Sequence, residues 1–269
     1  MLHKLARLRQ ERVQSNWTCF LRNRAEIAYI AELGRAVRDG GRLSVAIFGC
    51  STGAEAFSTS YALRDSFGRI QIEIHASDVS VESIETARIA RFDPAGRETE
   101  GLSTEEMEAL FEKAPDGALV VRTRWQAPVE FAVVDATAPG LAERAGVHDL
   151  VLANKFLCHM PADRARQCLR NLVSTLRPGG VLIASGVELE VRTAVARELG
   201  LLPDTAAIEP LHEGDVTLRR GWPFEYWGLE PLDRGRRDYA LRYAAALIKP
   251  GANPFRRAAA TTEATRKRA

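Results

Sequence analysis

The sequence predicts an α/β fold: a doubly wound parallel sheet with a small inserted subdomain and a C-terminal extension. Three observations carry that expectation. Short strand-like segments recur at 43–48, 71–76, 129–134, 148–153 and 180–185, and the first of them is an apolar run of the kind expected for a buried strand. Helical periodicity or helix caps occupy several of the intervals between them. The first run leads through a tight loop, Gly49-Cys-Ser-Thr-Gly53, into a helical stretch, which is how such sheets begin.

Residues 1–40 read as helix, with Leu5, Leu8 and Val13 and then Ile27, Ile30, Leu33 and Val37 at helical spacing. Asp39-Gly40-Gly41 stops it. After the glycine loop a helix is expected over 54–67. The second strand closes on Ser77-Asp78, and Ser80 caps a helix over 81–89. Residues 92–127 break the alternation and read as an insertion. Within it, Ser103 and Glu106 have capping-box spacing, and 118–125 resembles an extra strand. An amphipathic helix over 164–176 separates the last two core strands, and Pro178-Gly-Gly180 turns the chain into the final one. The expected units are a helical segment (1–40), a core (41–190, insertion about 92–127), an extension (191–249) whose last helix covers 239–248, and a disordered basic tail (250–269).

Composition excludes several classes. The chain has 269 residues, 46% apolar and 27% charged, which suits a globular protein with a sizeable core. Lys and Arg total 37 against 35 Asp and Glu, so the net charge of +2 provides no general attraction to nucleic acid or membrane. The cysteines Cys19, Cys50, Cys158 and Cys168 lack C-x-x-C spacing and are expected to be free thiols. His3, His75, His148 and His212 lack metal-ligand spacing, so no metal is expected. No signal-peptide pattern or apolar run of about 20 residues is present, and the expectation is a cytoplasmic protein.

In such a sheet a ligand lies beyond the carboxyl ends of the strands. Gly49 and Gly53, flanking Cys50, Ser51 and Thr52, let the chain turn tightly there, but the loop lacks the G-x-G-x-x-G pattern that a dinucleotide pyrophosphate needs. Asp78, with Val79 after it, ends the second strand 25 residues after Gly53, where a carboxylate can accept both hydroxyls of a ribose. Asp135 ends the next strand of the sheet, where it can border an adenine. An adenosine-bearing ligand without a demanding phosphate site fits S-adenosylmethionine better than NAD.

The motif Gly49-Cys-Ser-Thr-Gly-Ala-Glu55-Ala-Phe-Ser58 resembles the first motif of the chemotaxis-receptor methyltransferases, the CheR family. Asn16-Trp-Thr18-Cys-Phe20-Leu-Arg22 is similar to that family's N-x-T-x-F-F-R segment. The segments beginning at Ala76, Gly101, Val129, His148 and Leu176 follow in the family's order, so the resemblance covers roughly 12–190. It implies the class I methyltransferase form of the Rossmann-like fold, with S-adenosylmethionine as cofactor and S-adenosylhomocysteine as product. It implies that Arg22 pairs with the donor's methionine carboxylate, with Asn16 and Thr18 nearby. Glu55 then faces the ammonium, Asp78 holds the ribose, Asp135 and Ala136 border the adenine, and Asn154 lines the methyl-transfer end. Only about fifteen residues precede Asn16, so the expectation is a member without the family's N-terminal helical domain. Around Cys158 and His159 the chain departs from the family's acceptor motif.

The resemblance suggests O-methylation of a carboxylate, on a small molecule or a protein side chain, with no nucleic-acid or membrane partner. A carboxylate is already ionised at neutral pH and requires no base. If the acceptor is instead a hydroxyl or amine of a small molecule, His159 is the expected base. A module that binds the donor without catalysis is a further alternative, and a nucleic-acid methyltransferase using the basic tail is a third. The aromatic run Trp222, Phe224, Tyr226 and Trp227 either roofs an acceptor pocket or anchors the last helix, and packing is the more common use of such residues.

Overall fold

The structure, a computed structural model, describes residues 17–215, 222–252 and 255. In chain order its elements are α1 (Arg24–Ala36), β1 (Arg42–Phe48), α2 (Ala54–Ala62), β2 (Gln71–Asp78), α3 (Val81–Ile89), β3 (Arg91–Phe92), α4 (Thr104–Leu110), β4 (Phe111–Lys113), β5 (Leu119–Val121) and α5 (Thr123–Gln126). There follow β6 (Val129–Val133), α6 (Leu141–Ala145), β7 (His148–Asn154), α7 (Ala162–Ser174), β8 (Leu176–Ser185), α8 (Leu189–Glu198), β9 (Leu202–Pro203), α9 (Ile208–Gly214), α10 (Tyr239–Tyr243) and β10 (Ala246–Ile248). The main sheet has seven strands in the order β6-β2-β1-β7-β8-β10-β9. Pairing from β6 through β8 is parallel, and β10 runs antiparallel to both of its neighbours.

The apolar runs form strands because both faces of the sheet are covered. With a side-chain period of two, Ala46 and Phe48 of β1 point into one core, with Val151 and Ala153 of β7 and Leu182 and Ala184 of β8. That core is closed by Cys168, Leu169 and Leu172 of α7 and by Leu189, Val191 and Val195 of α8. The alternate set, Val45, Ile47, Leu150, Leu152, Val181 and Ile183, packs with Tyr29, Ile30 and Leu33 of α1 and Leu211 of α9. No face of the central strands meets water, so no polar alternation is required of them.

The insertion forms a separate three-stranded antiparallel sheet, β3-β5-β4. An aromatic cluster ties it to the core: the Phe20 ring lies 4.9 Å from Phe92 and 4.8 Å from Phe111, edge to face. Ser103 caps α4 in the expected reciprocal arrangement with Glu106. Glu106 in turn holds Arg24 at the start of α1, and Arg24 also donates to the Gly101 carbonyl at 3.1 Å.

The structure departs from several boundaries expected from the sequence. The helix expected over 54–67 ends at Ala62 and continues as a single 3-10 turn, Arg64–Ser66. The strand expected over 118–125 covers only Leu119–Val121, because Trp125 turns back into the aromatic cluster and its indole N–H donates to the Ala109 carbonyl at 2.8 Å. The helix expected over 239–248 ends at Tyr243, and Ala246–Ile248 is a strand registered on Ile183, Leu182 and Val181 of β8. The open hydrogen-bonding side of β8 outweighs the local helical periodicity there. Residues past 190 therefore do not all stand outside the core, since β9 and β10 complete the main sheet. Phe255, within the expected tail, is buried in the core beside α1 and α9. The helical expectation for residues 1–15 and most of the expected tail lie outside the described residues.

Tyr226 and Gly228 seat the segment after residue 222. The buried Tyr226 hydroxyl accepts the Leu189 N–H at 3.0 Å, at the start of α8. Gly228 has φ of +86°, and a Cβ there would lie 2.4 Å from the Val187 carbonyl oxygen. Beyond it, the Glu230 carboxylate accepts from Arg242 at 2.7 Å and from the Tyr243 hydroxyl at 3.0 Å. The aromatic run thus divides: Tyr226 is core, while Phe224 is exposed.

Candidate active site

A cleft of about 330 Å³ opens beyond the carboxyl ends of β1, β2, β6 and β7, on both sides of the point where the strand order reverses. The volume is within the range of small-molecule sites. Its walls are Trp17, Thr18 and Arg22 ahead of α1, the β1–α2 loop, the ends of β2 and β6, and the stretch from Asn154 to Pro161 after β7.

The β1–α2 loop is built around Asp78. The Gly49 and Cys50 N–H groups both donate to the Ser77 carbonyl, at 2.8 and 3.0 Å. The chain then reverses through positive φ at Gly49, Ser51 and Gly53. Ser51 N–H reaches one Asp78 carboxylate oxygen at 2.9 Å, and Ser80 N–H reaches the other at 2.9 Å. A Cβ at Gly49 would lie 2.8 Å from the Phe156 ring, so glycine lets the loop and the β7 side of the cleft approach each other. Asp78 is 7% exposed, lines the cleft and is locked by two backbone donors, a geometry in which a carboxylate can accept hydroxyls from a sugar without reorganising.

Two carboxyl groups meet behind the other part of the cleft. Asn154 Nδ2 donates to Glu55 Oε1 at 2.7 Å and to Glu26 Oε1 at 2.6 Å, while its carbonyl oxygen accepts from the Ser185 hydroxyl at 2.7 Å. Ser185 thus fixes the orientation of the amide. Burial, then the neighbouring Glu55, pushes Glu26 up to about 8. Burial also raises Glu55, against the pull of Asn154, Arg22 and Lys155. Lys155, with φ of +62°, makes an ion pair with Asp215 at 2.7 Å, and its burial lowers the ammonium from the usual lysine range. Glu55, Asn154 and Lys155 line the main cleft, whereas Glu26 and Asp215 line only a small adjoining cavity of about 30 Å³. Arg22 stacks on the Trp17 ring at 4.7 Å and donates to its carbonyl at 3.1 Å.

Asp135 and Thr137 form the rim after β6. The Thr137 hydroxyl and N–H donate to Asp135 Oδ1 at 2.7 and 2.8 Å, and the hydroxyl is the larger influence holding that carboxyl below its ordinary range. Asn171 of α7 donates to the Ala136 and Ala138 carbonyls at 3.0 and 3.1 Å, fixing the loop. After β7, the 3-10 turn Leu157–His159 brings His159 to the cleft, its ring 6.2 Å from that of Trp227.

The family model described as CheR methyltransferase, SAM binding domain, matches residues 16–194. The chain belongs to this family. As a CheR-family protein it is 27% identical over 157 residues to chemotaxis protein methyltransferase 1 of Pseudomonas aeruginosa, a match covering 55% of this chain and 56% of that one. It is 27% identical over 158 residues to a chemotaxis protein methyltransferase of Pseudomonas putida, again covering 55% of each chain. The chain thus spans just over half the length of these curated relatives. Among solved structures, magnesium protoporphyrin IX methyltransferase from Synechocystis PCC 6803 with bound SAM is 18% identical, covers 67% of each chain and has a TM-score of 0.41.

Of the residues singled out from the sequence, Thr18, Arg22, Gly49, Ser51, Glu55, Asp78, Val79, Asp135, Ala136, Asn154 and His159 all border the one cleft. Thr52 and Gly53 do not. The Thr52 hydroxyl is buried with no partner among the described residues, and Gly53 backs onto Ala87, Phe131 and Phe57 as α2 begins. Asn16 lies outside the described residues. Sequence reasoning missed Glu26 and Asp215. Glu26 carries the ordinary signature of a first-turn acid after an N-cap, since Asn23 caps α1 and accepts the Glu26 N–H.

Proposed function

We propose that this protein is an S-adenosylmethionine-dependent methyltransferase that esterifies a carboxylate. The observation that carries the reading is a single cleft bordered at one part by the anchored Asp78 and at another by Arg22 and Glu55. In this reading Asp78 accepts the ribose hydroxyls, and Asp135 and Ala136 flank the adenine beside Val79. Arg22, with Thr18 and Asn16, holds the methionine carboxylate, and Glu55 the ammonium. The loop from Gly49 to Gly53 lets the backbone approach the donor. Asn154, anchored by Ser185, aligns the methyl-transfer end. The donor supplies a sulfonium methyl, whose in-line transfer to an ionised carboxylate requires alignment and exclusion of water but no general base.

The similarity to chemotaxis protein methyltransferases supports a protein side chain as acceptor, and a small carboxylic acid fits the same chemistry. Incubation with methyl-labelled donor and a panel of receptor peptides and small acids is expected to yield base-labile label, released as methanol. Label that is stable to base would overturn carboxylate esterification.

The contact of His159 with Trp227 at the cleft favours a second reading, a hydroxyl or amine acceptor with His159 as base. The two separate on one variant. Under the first reading His159→Ala keeps the transfer rate within about threefold. A fall of more than about 100-fold at unchanged donor affinity would support the second.

A further inference from the structure

The buried pair Glu26 and Glu55 shares one amide, and only Glu55 reaches the main cleft. We infer that Glu26 is a positioning residue that holds the pair's shared proton in the free protein and gives it up when the donor's ammonium docks on Glu55, so that donor binding releases about one proton. The inference rests on the donor site proposed above and adds to it a residue and a coupling.

The argument starts from the charges around Glu26. From α2 it faces Glu55, from the end of β7 Asn154 and Lys155, and from the end of α9 Asp215. Its own helix contributes the N-cap Asn23, which is uncharged. Arg22 acts on Glu55 and Lys155, and Cys19 lies by Lys155. Lys155 is already committed to Asp215 at 2.7 Å. One amide cannot neutralise two buried carboxylates, and like charges bridged so closely do not both ionise near neutral pH. Burial first, and then the repulsion from Glu55, push the Glu26 carboxyl upward.

An α-ammonium beside Glu55 changes the balance. It places a positive charge next to the pair, stabilises the doubly ionised form and lowers the affinity for the shared proton. The proton leaves to solvent and the ammonium replaces its charge, so the net charge of the site is conserved. Linkage fixes the sign: binding that releases a proton strengthens as pH rises. With Glu26 at about 8 in the free protein, affinity should rise about ninefold between pH 6 and 7. That window lies below the reference α-amino pKa of about 7.7–8.0, so the donor's own ammonium stays charged throughout.

The test is titration calorimetry at pH 6.5 in two buffers of different ionisation enthalpy, which counts the protons released. S-adenosylmethionine and S-adenosylhomocysteine, which share the ammonium, should each release close to one proton. Methylthioadenosine, which keeps the nucleoside but has no ammonium, should release none. Glu26→Gln, isosteric with the protonated acid, should bind the donor with no proton release and with affinity flat from pH 6 to 7. Binding by the natural protein without proton release, or the same release from Glu26→Gln, overturns the inference and leaves the donor site standing. Failure of both amino-acid-bearing ligands to bind at any pH overturns the donor site and this inference with it. The natural protein and methylthioadenosine arms do not depend on how the variant folds.

Discussion

Asp78→Asn should weaken S-adenosylhomocysteine binding by at least about 100-fold while the protein remains folded. Two effects act in the same direction. The natural carboxylate takes a backbone donor on each oxygen, from Ser51 and from Ser80. An asparagine has one oxygen, so its NH₂ must face one of those N–H groups, and leaving a buried donor unmatched costs about 1–3 kcal/mol. The β1–α2 loop, which rises through positive φ at Gly49 and Ser51, then loses one of its fixed points. The ribose hydroxyls also lose a charged acceptor, and hydrogen bonds to charged groups contribute about 1.5–3 kcal/mol. The unmatched donor weighs on the ligand-free protein as well and so registers as stability; two ribose hydroxyls that each lose a charged acceptor account for about 3 kcal/mol, roughly 100-fold in affinity. Calorimetry with the product measures it directly, and an unchanged Kd would remove Asp78 from the nucleoside site. Thermal unfolding of the ligand-free variant reports the loop contribution by itself.

Gly228→Ala is expected to destabilise the protein strongly, with a loss of about 3 kcal/mol. The new Cβ would lie 2.4 Å from the Val187 carbonyl oxygen and 2.5 Å from its nitrogen, and these are backbone atoms in the turn between β8 and α8. They cannot swing aside as a side chain would. The position also has φ of +86°, which disfavours any residue with a Cβ. Relief requires lifting the segment that carries Tyr226, Trp227 and Glu230, and with it the hydroxyl on Leu189 N–H and the anchor of Arg242. Urea unfolding should show a lower midpoint at an unchanged slope. A midpoint equal to that of the natural protein would mean that this segment does not seat against Val187. Because the Trp227 ring lies 6.2 Å from that of His159, which borders the cleft, the same variant should also alter acceptor KM more than donor Kd.

The centre of the parallel sheet was legible because β1, β7 and β8 are buried on both faces and carry short apolar runs, as 150–153 does, whereas β2 and β6 toward the edge mix polar and apolar residues. Local chemistry was legible where the signal is short-ranged. Ser80 caps α3, Ser103 pairs with Glu106, and the glycine loop begins α2 as read. What escaped was decided at a distance. Three residues, 246–248, form a strand only because β8 offers an unpaired side some sixty residues earlier in the chain, and the spacing of Tyr239, Tyr243 and Leu247 imitates a helix. The cleft shows the same division. Asp78 announces itself by ending a strand and Glu55 by the CheR-like motif that holds it, whereas Glu26 becomes exceptional only when folding brings it to Asn154, 128 positions away.

The family match ends at residue 194, yet β10, the strand lying against β8, arrives about fifty residues later. A chain cut at the end of the match would present β8, one of the most apolar strands of the molecule, as a naked ladder of amides able to recruit strangers. Such a fragment should come out of cells as insoluble aggregate rather than as a small donor-binding module. During synthesis, too, the scaffold under the cleft stays unsealed until residue 248 has emerged from the ribosome.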